Sequence, residues 1–284
     1  MSLSITLDWL AFTFKEDSFD SGTWLHTFAS NKGATSIAPT NGYRSAYRTK
    51  DKVDVMWNVD RPEMGYHVII AGTAIRNLCE HMELDQKELI KRAVHAGASI
   101  TRLDLAKDLQ GESISLDEIY QDMEQGNRIG TARTVAQIHS NKGGNTIYVG
   151  SRQSEKFIRI YDKRAQSGGE GKPWYRFEVE AKGAVARTLA HILLNGEGWE
   201  RAFDTVARHM VDLPDNHGWS RFFVPGVIPV GFPKIERSSN REAWIDTQVT
   251  PAVIEHYMEN RDSAAIKKLR MMLAFVDREP DQSE

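Results

Sequence analysis

Apolar and polar residues alternate along "SITLDWLAFTF" near the start of the chain, the period of a strand with one buried face. Asp20 or Ser21 is placed to cap a helix running to about Ser30. After a passage rich in Gly, Pro and Asn, "YRSAYRTK", "VDVMWNV" and "GYHVIIAG" read as three strands of a meander. A helical region follows, in which Asp85 and Glu88 form a capping box for "QKELIKRAVHAG" and Gly97 ends the helix.

The same order then comes round again. "SITRLDLAKD" is a strand, Ser115 and Glu118 form a second capping box that opens the helix "LDEIYQDMEQ", and Gly126 stops it. "ARTVAQIH", "NTIYVG", "KFIRIYDK" and "PWYRFEVEA" follow as strands, joined by the turns "SNKGG" and "SRQS" and the flexible loop "RAQSGGEGK"; a helix, "GAVARTLAHILLN", runs to Gly196. The expected fold is α+β: duplicated strand-helix-multistrand-helix units over 1–98 and 99–196, with mostly antiparallel sheets, forming a composite nucleotidyl-transferase-like core. Helices cover one face of each sheet and leave the other free for chemistry. Residues 197–284 read as a mainly helical region with an irregular stretch, "VPGVIPVGFPK", and a frayed tail; Trp244, Val249, Met271 and Met272 are assigned to its core.

Composition adds little until it is read locally. A chain of 284 residues, 40% hydrophobic, can bury a large core, and a formal charge of −3 does not mark a nucleic-acid binder. Between Lys142 and Arg187, however, ten basic residues stand against five acidic ones. The single cysteine, Cys79, cannot form an intrachain disulfide and reads as a small buried hydrophobe. With no signal-peptide pattern and no apolar run of roughly 20 residues, the expectation is a soluble, cytoplasmic protein without a membrane partner.

Parity places the candidate chemistry. Arg102, Asp104, Ala106 and Asp108 share one strand face, opposite Leu103 and Leu105; Arg176, Glu178 and Glu180 share another, opposite Phe177 and Val179. On a third strand Phe157, Arg159, Tyr161 and Lys163 point away from Ile158 and Ile160. Together the faces offer Asp104, Glu178 and Glu180 as hard oxygen ligands suited to Mg²⁺ or Mn²⁺, and Tyr161 as a hydroxyl nucleophile. Arg102, Arg159 and Lys163 are catalytic cations, since a phenol of ordinary pKa near 10 needs such help at neutral pH. Lys142, Arg152, Lys156, Arg176 and Lys182 are nucleic-acid contacts. "GGEGK" lacks a full phosphate-binding loop and leads into a strand, which disfavours an ATPase, and His139 has no metal-ligating partner two positions along.

The blocks "ITRLDLAKD", "TIYVGSRQSEKFIRIYDK" and "WYRFEVEAKGAVA", in that order, resemble the replication initiation factors of the plasmid rolling-circle (Rep_trans) family, which includes relaxases of integrative elements and filamentous-phage replication proteins. The resemblance, over residues 3–255, implies an initiator that nicks one strand of origin DNA in a metal-dependent transesterification. It would leave a 5′-phosphotyrosine link and a free 3′-OH. It matches the family tyrosine to Tyr161 and the acidic metal positions to Asp104 and Glu178, with Glu180 a weaker match. Its implied partners are origin DNA, a host helicase and polymerase, and a second copy of the chain. The nearly neutral charge and slim C-terminal region depart from plasmid members, and the paired-histidine motif of other rolling-circle enzymes is missing. A non-catalytic DNA-binding regulator of the same fold, a nuclease using metal-bound water and a mobile-element relaxase are the alternatives.

Overall fold

A computed structural model of the chain describes residues 2–15, 33–128, 130–139, 144–213, 217–229, 257, 263–264 and 266–268. The chain forms two compact units, Met1–Pro233 and Lys234–Glu284. In the second, the described residues are helical at 257, 264 and 266–268, and Ile266 is buried. The helix expected between Asp20 and Ser30, and the core assignments of Trp244, Val249, Met271 and Met272, lie outside the described residues.

The first half of the larger unit supplies β1 (Ser2–Phe14), β2 (Thr35–Ser36), β3 (Ser45–Arg48), β4 (Asp54–Trp57) and β5 (Tyr66–Ala71), then α1 (Thr73–His81) and α2 (Gln86–His95). The second supplies β6 (Ser99–Gln110), α3 (Leu116–Glu124), β7 (Val135–His139), β8 (Asn145–Val149), β9 (Lys156–Asp162), α4 (Lys163–Gln166), β10 (Trp174–Lys182) and α5 (Gly183–Leu194). Two further helices follow, α6 (Trp199–Met210) and α7 (His217–Ser220). Each expected capping box forms its N-cap half: Asp85 accepts from the Glu88 N–H and Ser115 from the Glu118 N–H, while the Glu88 carboxylate turns to Lys91 and Arg92.

The architecture is α+β, but the expectation of separate sheets is corrected. Among the described residues all ten strands join one sheet in the order β2-β3-β4-β5-β1-β6-β10-β9-β8-β7, and every pairing is antiparallel. The two first strands, β1 and β6, pair at the seam, and each half then runs outward with its last strand next and its meander beyond. Being central, β6 is buried on both faces and cannot leave its polar side to solvent.

Helices α1 and α2 pack on β1, α3 on β7 and β8, α5 on β6 and β10, and α6 on β9 and β10. Leu103, Leu105, Leu109, Phe177, Val179, Ile158 and Ile160 join Leu189, Phe203 and Val206 in one core. Burial on this scale, about 1.5–3 kcal/mol for each large side chain, fixes which face of the sheet turns inward. It leaves the alternate residues of β6, β9 and β10 on the opposite side. At the end of β10 the chain turns straight into α5 at Gly183, whose φ of +53° favours glycine; a Cβ there would lie 2.5 Å from Glu155 Oε1 and would push that carboxylate aside. That carboxylate accepts the Ala184 N–H at 3.2 Å and so caps the helix from another loop.

Candidate active site

Register sets the site. Cross-strand pairs put Asp108, Arg176 and Tyr161 in one row, Ala106, Glu178 and Arg159 in the next, and Asp104, Glu180 and Phe157 in a third. The three faces expected from parity therefore lie side by side on β6, β10 and β9. One member is corrected: Lys163 is not on the strand but is the first residue of α4, which Asp162 caps by accepting the Ala165 N–H at 2.9 Å. The segment expected to be wholly loop thus begins with a helical turn. Lys163 still reaches the site, with Nζ 5.8 Å from the centre of the Tyr161 ring and 2.8 Å from Gln166 Oε1.

Tyr161 is only 9% exposed, and its hydroxyl donates to Glu178 Oε1 at 2.5 Å. The other Glu178 oxygen takes Arg159 at 2.6 Å. Burial, the Glu178 charge and the hydrogen bond to it all push the phenol well above its usual range. Burial also raises the Glu178 carboxyl, against the pull of Arg159 and of the Tyr161 hydroxyl. The proton therefore sits on tyrosine in the resting site, with an acceptor already in place. The side chain is reachable from a cleft of about 450 Å³ that Tyr148, Arg159 and Tyr161 line together. Burial first, and Arg176 second, hold the Lys163 ammonium below its ordinary range.

Around this pair lie two guanidinium clusters. Arg176 makes a bidentate pair with Asp108, at 2.7 and 2.8 Å, and reaches Asp8 at 3.2 Å. Arg102 grips Asp104 through bonds of 3.0 and 2.6 Å and Glu180 at 2.7 Å, and stacks 4.3 Å from the centre of the Trp9 ring. Asp104 is 1% exposed, and burial pushes its carboxyl up to about 7 despite Arg102.

The expected metal ligands divide between these clusters. Asp104 and Glu180 are cross-strand partners that converge on one cation, Arg102, while both oxygens of Glu178 are committed to Tyr161 and Arg159. Among the described residues no three acidic, histidine or cysteine side chains meet at one point. An all-oxygen pair already holding a positive charge nevertheless fits Mg²⁺ or Mn²⁺, which bind through one or two carboxylates and take the remaining ligands from water and phosphate.

The predicted DNA contacts are scattered. Arg176 is half-buried and taken up by its ion pairs; Lys182 binds Glu180 and the Arg152 carbonyl, each at 2.6 Å; Arg152 is exposed; Lys156 is half-buried, and burial lowers its pKa. Lys142 lies outside the described residues.

Two charged residues escape the sequence reading. Asp8 enters through a bulge in β1, where the register skips it between Leu7–Leu105 and Trp9–Asp104. The signal was present: apolar positions run Leu3, Ile5, Leu7 and then Leu10, Phe12, Phe14, a change from odd to even that no regular strand allows. Lys107 lies on the opposite, helical side with no exposure, paired with Glu200 and with Asp204 at 3.4 Å and lying 4.6 Å from the Phe203 ring centre. Its parity with Leu105 and Leu109 was the available clue.

The chain is similar to the putative DNA relaxase NicK of Bacillus subtilis (strain 168), with 25% identity over 169 residues, 54% of this chain and 48% of that protein. It therefore spans about half the length of that curated relative. Its fold is similar to that of the rolling-circle replication initiator protein from Geobacillus stearothermophilus, with a TM-score of 0.65 and 21% identity over 78% of this chain and 92% of the other. Residues 98–271, which carry all three strands of the site, match the replication initiation factor family, and the chain belongs to that family.

Proposed function

We propose that the chain nicks one strand of origin DNA with Tyr161 as nucleophile and Glu178 as its general base. The observation that carries this reading is the 2.5 Å hydrogen bond from the Tyr161 hydroxyl to Glu178 Oε1. A phenol held neutral by its surroundings cannot attack as a standing phenolate, so its proton must leave as the bond to phosphorus forms. In the proposed step the Tyr161 oxygen bonds to the phosphorus, the proton passes to Glu178, and the P–O3′ bond breaks. The 3′ oxygen takes a proton from water and becomes the free 3′-OH; the 5′ phosphate stays on tyrosine. Resealing reverses these transfers, with Glu178 returning the proton.

Arg159 holds Glu178 in line through one terminal nitrogen and brings its positive charge to the edge of the cleft. Lys163 adds positive charge from over the ring, 5.8 Å from its centre. Asp104 and Glu180 are the residues that would hold Mg²⁺ or Mn²⁺, in place of Arg102. Such an ion, when bound, polarises the phosphodiester.

The reading is tested by incubating the protein, with Mg²⁺ or Mn²⁺, and supercoiled DNA of its own replicon, then denaturing. Nicked DNA covalently joined to protein is the expected product. Cleavage without an adduct would indicate hydrolysis by water, and neither product would indicate a DNA-binding regulator.

A further inference from the structure

We propose that the cleft beside Tyr161 is a nucleotide subsite in which an unpaired DNA base packs against Tyr148. The inference rests on the strand-cleaving reading of Tyr161 and extends it to how the substrate is held. The cleft, about 450 Å³, falls within the roughly 300–1,000 Å³ usual for small-ligand sites, enough for one nucleotide and too small for a duplex. Its walls combine a sheet face, Tyr148, Arg159 and Tyr161, with Asn145 and Gln166 at the rim.

Tyr148 is built as a platform. It stacks with Phe157 at 5.5 Å between ring centres and 22° between planes, and the exposed Arg152 guanidinium lies 5.0 Å from the Tyr148 centre and 5.5 Å from that of Phe157. Arg152 is itself anchored, since its carbonyl accepts from Lys182 at 2.6 Å. These contacts fix the ring while its half-exposed side faces the cleft. Register then relates base to phosphate: Tyr148 pairs with Arg159, and Tyr161 lies on the adjacent diagonal, roughly 7–8 Å away. A base on Tyr148 thus places its own backbone at Arg159, next to the tyrosine hydroxyl. Stacking of this kind accepts any base and requires an unpaired strand, as a nick site opened by supercoiling provides.

The test measures binding in the absence of cleavage, using full-length Tyr161→Phe protein and two probes with equal numbers of phosphates, a dT 12-mer and an abasic 12-mer. Fluorescence anisotropy at fixed salt should show the dT 12-mer bound about tenfold more tightly. Tyr148→Leu in the same background should remove most of that difference and leave abasic affinity unchanged. Equal loss on both probes, or loss on neither, overturns the subsite. If Tyr148→Leu does not fold, Tyr148→Trp supplies the measurement: its emission should be quenched by the dT 12-mer and not by the abasic one, and equal quenching by both overturns the subsite. Failure of the cleavage reading appears separately, as wild-type protein that yields no adduct on its own replicon.

Discussion

Glu178 receives a hydrogen bond from the residue it is proposed to deprotonate, and this fixes the direction of the pH response. A general base works only when ionised, so the rate of adduct formation should fall as pH drops through the raised Glu178 pKa. Glu178→Gln keeps the shape and removes the basicity. Single-turnover adduct formation should slow by about a hundredfold or more and lose that acid limb. A mutant with the wild-type pH profile would return Glu178 to a structural role. Asp104 makes the companion case for stability. Its folded pKa of about 7 lies above the ordinary 3.8, so its contribution to stability is complete below about pH 4 and is lost as pH rises through 7. Melting temperatures measured across that window should decline less steeply in Asp104→Asn than in the wild type.

At the scale of elements, the helices that the sequence predicts best are those with local chemistry to start them. Ser115→Ala should cost about 1 kcal/mol in denaturant unfolding and leave the adduct rate of bound protein unchanged, because the buried residues of α3 pack with Ile147 and Val149 in the core and none of them touches Tyr161 or Glu178. The three strand faces are legible for a related reason: period-2 alternation is fixed by burial and needs no knowledge of partners. Which strands touch is a long-range matter. Nothing local says that β6 pairs with both β1 and β10, so a strand-by-strand reading does not reach the ion pairs that occupy the carboxylates. Lys163 reads as strand because the Asp162 cap, which ends β9 and opens α4, involves a single residue and resembles ordinary strand sequence.

Across the whole molecule, the site face and the helical layer share β6. Lys107 links that strand to α6, paired with Asp204, whose carboxyl burial raises to about 6 against the opposing pull of Lys107. Lys107→Met leaves Asp204 buried without its lysine and should destabilise the fold by about 3 kcal/mol or more, part of which Asp204→Asn recovers in the double variant. The proposed DNA binding, by contrast, would draw on exposed charge on a chain of net −3. Arg152→Gln should weaken it on all sequences and lower the slope of log affinity against log salt by about one.

If Tyr161 takes the DNA strand, as proposed, the covalent bond can be located on it. Trypsin cuts after Arg159 and Lys163, so Tyr161 falls in the short peptide "IYDK", whereas Tyr148 and Tyr175 fall in others. After nuclease trimming of the purified adduct, mass spectrometry should find a nucleotide 5′-phosphate on "IYDK", and Tyr161→Phe protein should yield no adduct. A nucleotide on the peptide of Tyr148 or Tyr175, or an undiminished adduct in Tyr161→Phe, would remove Tyr161 from the nucleophile's role.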